Sequence, residues 1–471
     1  MNYTPRSSAF SLPRGREGKT TKLEKEEPSW LVKQREQIKR EYLEPLRVDF
    51  MSKRANTTEQ NRPRPNGQFH RDYTRIMYSS SFRRLQGKMQ MLGIKNDQFF
   101  RNRLTHSLEV AQIARSIAEI LQYDPEELYV VEAGALAHDL GNPPFGHAGE
   151  RYLNELFHDV GGFEGNAQTL RKLTTIEKKR PDFQGLNLTY RSLLAVVKYF
   201  HKFDRLRDDG QKFIYDDDYE MLQKKLQKEE VQGNKITLRT LDVQIVDIAD
   251  EIAYAAHDLE DGLRVKAYTI DEILHDFRVA YGREHKGCYR KLENIVEDVR
   301  RQMRSGNGVV ESSQYSKLFR QELSSRLINL AINDLGLVKV DPDKAAKTGT
   351  SYENEIGFTQ YEMLFHGLKE IVFKCINHND EVYHYEQKGR QVIRFLSDLY
   401  TSEVKYLPPE YRAEELMKQY KELKTKDKDR LQQRLACDYI AGMMDSYAIS
   451  VYEKYSGRRF DAMDMHRIFV R

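Results

Sequence analysis

The stretch LAHDLGNPPFGHAGE, Leu136 to Glu150, constrains this chain more than any other. It ends an apolar run of small residues, VVEAGALA, with a His-Asp doublet. Gly141, Asn142, Pro143 and Pro144 follow and break any helix, because proline lacks the N–H a helix needs and its ring clashes with the preceding turn. A second histidine, His147, then stands one helical turn before Glu150. Two histidines and two carboxylates beside an apolar wall suit a capped helix end with a polar mouth. They equally suit a metal site with a proton handler next to it.

The wall itself implies helices. PEELYVVEAGALAHDLG reads as a helix with Pro125 at its start and Gly141 at its end. THSLEVAQIARSIAEILQY sets Leu108, Ile113, Ile117 and Ile120 near one face, with Thr105 as its expected N-cap. TLDVQIVDIADEIAYAAHDLEDGL is a long apolar helix with recurring acids. A charged amphipathic helix is expected from Trp30 to Phe50, a loop over NTTEQNRPRPNGQFHRDYTR, and a helix-like pattern again from RIMYSSSFRRLQGKMQML. Strand-like alternation is rare, with NKITLRTLDV the best short candidate. Beyond about residue 270 the pattern stays helical, and runs such as KELKTKDKDRLQQRL read as solvated faces. The expected fold class is all-α with few or no short strands. It divides into a basic tail over residues 1–28, a core domain over 29–270 and a C-terminal helical region over 271–471.

Composition narrows the setting. The 471 residues can bury a large core, and 31% charged residues imply a large solvated surface. No apolar run reaches the roughly 18 residues of a membrane span, and the first thirty residues hold no apolar signal-peptide core. Cys288, Cys375 and Cys437 are isolated. That pattern offers neither a disulfide framework nor a cysteine zinc site, and it fits the reducing cytoplasm. A net charge of +4 is too small to argue for nucleic acid by itself.

A protein-held divalent cation needs several lone-pair donors at one point, and imidazole with carboxylate suits Mn, Fe, Zn or Mg. His138 and Asp139 diverge by about 100° on a helix, close enough to share an ion lying across the groove. His106 opens the helix before them. The long downstream helix offers Asp247 or Asp250, three apart, and spacing does not separate the two. Asp250, Tyr254 and Asp258 form one stripe at four-residue spacing. A histidine, a His-Asp doublet 32 positions later and an aspartate on a later apolar helix together resemble the HD-domain metal phosphohydrolases.

The resemblance extends to a narrower group. NRLTHSLEVAQIARSIA, ALAHDLGNPPFGHAGE, GGFEGNAQTLR, GLNLTY, LLAVVKYF and QIVDIADEIAYAAHDLEDG occur in one order and are similar to the bacterial dGTPase family of dNTP triphosphohydrolases. The match is dense over about residues 60–270, and LACDYIAGMMDSYA fits that family's C-terminal region. The resemblance implies His106, His138, Asp139 and Asp250 as ligands to a divalent ion, Mg²⁺ or Mn²⁺. It implies His147 and Glu150 as the catalytic pair, with Glu150 fixing the His147 tautomer. It further implies Arg103 at the α-phosphate, Lys198 and Tyr199 at the outer phosphates, and Asn166 as a phosphate-side donor. Gln90 would lie near the sugar 3′-hydroxyl, and Tyr254 and Asp258 would contact the sugar. Asn142 stands where many relatives carry histidine, which tilts the expectation toward dGTP. Base choice is expected in the C-terminal helices, with Arg434 as one candidate.

The expected reaction is therefore dGTP and water to deoxyguanosine and triphosphate. A broad-specificity dNTPase is the near alternative. Another HD-domain phosphohydrolase would share the ligands without the Arg103, Lys198 and Tyr254 set. A non-catalytic module that binds dNTP or single-stranded DNA is the rival from another class, and its modest charge and sparse aromatic interleaving disfavour it. The family implies a homo-oligomer, often a hexamer; a single-stranded DNA effector and the absence of a membrane partner complete the expectation.

Overall fold

The computed structural model describes residues 29–56, 67–90, 101–206, 210–234, 236–305, 311–377, 380–419 and 427–460. Among them helices dominate, as expected, and the only strands form one antiparallel hairpin. Strand β1 (Leu335–Lys339) pairs with β2 (Asn354–Phe358), Leu337 opposite Ile356. No helix of these residues is long and apolar enough to cross a membrane. The basic tail over 1–28 lies outside the described residues.

Three helices make the frame. The Arg103–Ile120 helix starts at a capping box in which the Asn102 side chain accepts from the Thr105 amide and Thr105 bonds back to Asn102. Asn102 is thus the cap, and Thr105 is its third-residue partner. Ile113, Ala114 and Ile117 turn inward, while Leu108 faces solvent. The Leu128–Ala137 helix is buried except at Tyr129 and Glu132, which fits its otherwise apolar and small residues. A Cβ on its Gly134 would come within 3.1 Å of Ala195 and Val246, so this face needs a small residue for helix packing. The Leu241–Ala253 helix is the third wall, and its buried face runs Leu241, Ile245, Ile248, Ile252.

Several local expectations change. Trp30 to Phe50 is not one helix. It runs α-helical to Ile38, widens to a π turn over Lys39–Leu43, tightens to 3₁₀ at Glu44–Leu46 and restarts at Asp49. Pro45 explains the interruption. Residues 67–75, expected as loop, belong to the Gly67–Met77 helix, with Arg71, Asp72 and Arg75 buried; residues 57–66 lie outside the described part. NKITLRTLDV forms no strand among its described residues, and Leu241 onward is helical. Tyr254–Asp258 is a π turn, so the even four-residue stripe is widened there.

The main core joins the three frame helices to the hairpin and to later helices, through Ile273, Phe277, Leu292, Leu335, Ile356 and Phe365. A second core joins the Gly146–Leu156 helix to the C-terminal helices Asp380–Ser402 and Lys428–Ala441, through Leu153, Phe163, Val392, Ile393 and Ile440. Phe145 belongs to it. That residue takes a left-handed backbone, φ 64°, which costs roughly 1–2 kcal/mol. Burying its ring against Tyr385 contributes a similar or larger stabilisation, about 2–3 kcal/mol.

Candidate active site

The turn after the Leu128–Ala137 helix carries His138 and Asp139. His138 Nδ1 lies 2.6 Å from the Ala135 carbonyl, a contact only an N–H can make. In the neutral ring, which a bound cation in place of the proton would select, that contact leaves the Nε2 lone pair facing inward. Nε2 is buried without a hydrogen-bond partner, 3.6 Å from Asp139 Oδ1 and 3.5 Å from Asp250 Oδ1. His106 Nε2 is 3.0 Å from the same Asp250 oxygen. Donor atoms of His106, His138 and Asp139 all lie within 4.8 Å of one another. Two imidazoles and two carboxylates, one with an orphaned lone pair, fit a divalent cation and form a group that could hold one.

The electrostatics agree. Burial opposes charge on His138, but Asp139 and Asp250 outweigh it and raise its pKa to about 9. Burial would raise Asp139, yet Arg103 and the two histidines bring it down to about 2. Asp250 is held well below the usual carboxylate range, against its own burial, by His138 and His106. The pocket stabilises positive charge between its acids, as a metal site must.

Asp247 points elsewhere. Its carboxylate takes Lys198 and Arg239, the latter at 2.6 Å. Geometry therefore separates the two acids that spacing could not, and Asp250 faces the histidines.

Arg103 donates to Asp139 Oδ2 at 2.7 Å and is 2% exposed. Asn142 donates to Asp139 Oδ1, so it steadies that carboxylate rather than joining the donor set itself. Gly141 has no room for a side chain: a Cβ would lie 1.8 Å from the Gly165 carbonyl. That close approach brings the Gly165–Arg171 helix against the turn, where Thr169 Oγ1 accepts from the Gly141 amide at 2.9 Å.

His147 and Glu150 lie on the next helix. His147 is exposed, and its Nδ1 is 3.3 Å from Glu150 Oε2. The other oxygen, Oε1, accepts from the Gly165 amide at 3.1 Å and faces Lys212 at 3.5 Å. Burial opposes the Glu150 charge, but His147, Lys212 and the Gly165 amide lower its pKa to about 2. Lys212 also donates to Glu164 at 2.8 Å. Sequence spacing carried no sign of Lys212 or Glu164, because both join the site across loops.

The remaining expected residues have the following surroundings. Tyr254 packs its ring 5.1 Å from His106. Asp258 is nearly buried and pushed well above the carboxylate range by burial and Asp261. Both amide atoms of Gln90 are buried without partners. Lys198 and Tyr199 adjoin, with Lys198 Nζ 5.9 Å from the Tyr199 ring centre. Asn166 turns its amide onto Glu164, 2.8 Å away. Arg434 is committed elsewhere: it holds the Val160 and Gly162 carbonyls at 2.6 and 2.8 Å and stacks on Tyr215.

The HD domain family matches residues 103–255, the segment that carries His106, His138, Asp139 and Asp250. A phosphohydrolase-associated domain matches residues 359–454. The deoxyguanosinetriphosphate triphosphohydrolase-like protein 2 of Vibrio cholerae serotype O1 is 43% identical over 395 residues, covering 82% of this chain and 88% of that protein. The chain belongs to this HD-domain family. The dGTPase-like protein 1 of Mesorhizobium japonicum is 32% identical, covering 83% of this chain and 90% of its own. The dGTPase-like protein of Shewanella sediminis is 30% identical, covering 82% and 91%. The family frame therefore extends over most of the chain, beyond the helices that hold the donors.

Proposed function

We propose that this dGTPase-like chain is a metal-dependent dNTP triphosphohydrolase that converts dGTP and water to deoxyguanosine and triphosphate. One observation supports the reading: donor atoms of His106, His138 and Asp139 lie within 4.8 Å of one another, Asp250 Oδ1 lies 3.0 Å from His106 and 3.5 Å from His138, Arg103 bonds Asp139 and Tyr254 packs on His106. The four donors would hold Mg²⁺ or Mn²⁺. When bound, the ion supplies Lewis-acid polarisation of the phosphoryl oxygen and orients water.

The chain's own groups do the rest. In the reaction a water oxygen bonds to the α-phosphorus and the bond to the 5′-oxygen breaks. Arg103 neutralises α-phosphate charge. His147 takes a proton from the attacking water and passes it to the leaving 5′-oxygen, so that one water proton ends on deoxyguanosine, and Glu150 holds its ring by Nδ1. Lys198, Tyr199 and Asn166 bind the outer phosphates. Tyr254 lies under the sugar, where a 2′-hydroxyl would collide, while Gln90 and Asp258 take the 3′-hydroxyl. The orphaned amide of Gln90 supports that role, since a buried amide without a partner is costly until a ligand satisfies it.

Incubation of the purified chain with each dNTP and GTP, with Mg²⁺ or Mn²⁺, tests the reading by chromatography of the products. Deoxyguanosine with intact tripolyphosphate is the expected result, and dGTP the preferred substrate. Orthophosphate or a nucleoside monophosphate as product would overturn it. Equal turnover of all four dNTPs would keep the reaction and remove the base preference.

A further inference from the structure

Arg239 is a non-glycine residue at φ 60°, in the left-handed region that side chains with a Cβ rarely adopt. Such a backbone persists only where its surroundings over-determine it, and here they do. Both oxygens of Glu355, on strand β2 and fully buried, accept from Arg239 Nε, at 2.8 and 3.0 Å. Gln244 donates to the Arg239 carbonyl at 2.9 Å and accepts from the β2 amide of Ile356 at 3.1 Å. Arg239 Nη2 then donates to Asp247 at 2.6 Å, and Nη1 to the Lys198 carbonyl at 3.4 Å. The other Asp247 oxygen takes the Lys198 ammonium. The same hairpin region accepts the Phe200 amide at the Thr348 carbonyl, 3.2 Å.

The chain Glu355–Arg239–Asp247–Lys198 thus runs from the hairpin to a lysine close enough to Asp250 to feel its charge. Neither family match includes the hairpin, which falls between residues 255 and 359. A lysine ammonium is a flexible point charge with three N–H groups, so its aim must come from its neighbours. Asp247 takes one N–H and leaves Lys198, about a quarter exposed, able to present others to a ligand.

We propose that Arg239 and Glu355 are positioning residues that act through Asp247 to aim Lys198 at the outer phosphates of the substrate. The inference rests on the proposed phosphate role of Lys198. It assigns to the hairpin a part in substrate affinity.

The test measures the dissociation constant of inorganic tripolyphosphate by calorimetry, and kcat and KM for the dNTP that is turned over. The variants are Lys198→Met, Asp247→Asn, Glu355→Gln and the two pairings of the latter with Lys198→Met. Asp247→Asn and Glu355→Gln are each expected to weaken tripolyphosphate binding and raise KM about tenfold, a typical worth for one aimed charged hydrogen bond, with kcat within about threefold. In the Lys198→Met background neither change should cost anything more. A merely structural role would give losses that add to that of Lys198→Met, and such additivity overturns the proposal. So does native affinity in both single variants when Lys198→Met binds weakly. Should Glu355→Gln fail to fold, Asp247→Asn, at the partly exposed end of the chain, decides alone. Native tripolyphosphate affinity in Lys198→Met would instead remove the phosphate role of Lys198 itself, and the relay with it.

Discussion

Glu150→Gln separates stability from chemistry at one position. The Glu150 carboxylate is 15% exposed and meets His147, Lys212 and the Gly165 amide. Those partners outweigh its burial and bring its pKa from 4.5 to about 2. That gap corresponds to at most about 3 kcal/mol of folding stability. A carboxylate depressed on folding contributes fully above its unfolded pKa and loses the contribution as pH falls through the folded value. The variant should therefore be less stable than the native chain near pH 7, by about 1–3 kcal/mol, with the deficit shrinking between about pH 4 and 2. Glutamine keeps an oxygen for the Gly165 amide but no longer fixes the imidazole by charge. A positioned proton carrier is worth about 10²–10⁴-fold, so kcat should fall about 100-fold while substrate affinity stays within threefold. Thermal unfolding across pH checks the first part, and single-turnover product formation the second. Activity within threefold of native would refute the reasoning. So would a His147→Ala, Glu150→Gln pair that is much slower than His147→Ala alone, since Glu150 would then act by some other route.

Three further outcomes follow from the same geometry. Asp250→Asn should weaken bound manganese more than about 100-fold, whereas Asp247→Asn should keep it; metal analysis after dialysis distinguishes them. Tyr254→Ala should lower the preference for dGTP over GTP at least about tenfold by opening space for the 2′-hydroxyl, read from competing-substrate turnover. Asp218 is raised from 3.8 to about 6, chiefly by burial and despite the Thr174 hydroxyl. Its folded form prefers the proton, so ionisation costs stability progressively from about pH 4 to 6. Asp218→Asn should gain on the native chain across that window by about 3 kcal/mol, seen as a melting-temperature difference that grows from about pH 4 to 6 and levels off above it.

Three of the residues expected to hold a metal lie close together, and each of the three sits near a helix end with its own local signal. His106 follows a cap, and the His-Asp doublet precedes a Gly-Asn-Pro-Pro break. Asp250 was not separable from Asp247, since residues three apart on a helix differ by only about 60° in direction. Their partners separate them: Lys198 and Arg239 for one, the histidines for the other. The π turn at Tyr254–Asp258 has no periodic signature, so the stripe read as plain α-helix. The hairpin was missed because LGLVK and NEIGF are five residues each, carry glycine and lie between long helices. NKITLRTLDV looked more like a strand, yet the Leu241 helix takes its last residues for the core. Lys212 and Glu164 carry no spacing rule, because their contacts span a loop.

Lysines are read from sequence as solvated ends, and two of them overturn that habit. Lys88 and Lys172 are both 2% exposed. Lys172 donates to the Leu140 carbonyl at 2.6 Å, and Lys88 to that of Asn142. Both also reach the Ala441 carbonyl, at 3.4 and 2.8 Å, where the Lys428–Ala441 helix ends. The last carbonyls of a helix carry its negative dipole end and lack intrahelical donors, so they suit a cation or a neutral amine's N–H. Burial depresses both lysines, Lys172 to about 7. Each amine therefore bridges the turn that carries Asp139 to the end of a helix inside the phosphohydrolase-associated segment. Asp445 adds a third tie through the Phe145 amide, at 3.2 Å. A turn of Gly, Asn and two prolines cannot brace itself with helical hydrogen bonds, and the braces it lacks come from about 300 residues downstream in the chain. The C-terminal helices thus hold the turn that carries His138 and Asp139 in shape, so the geometry of the candidate site within residues 106–250 depends on the segment that follows it.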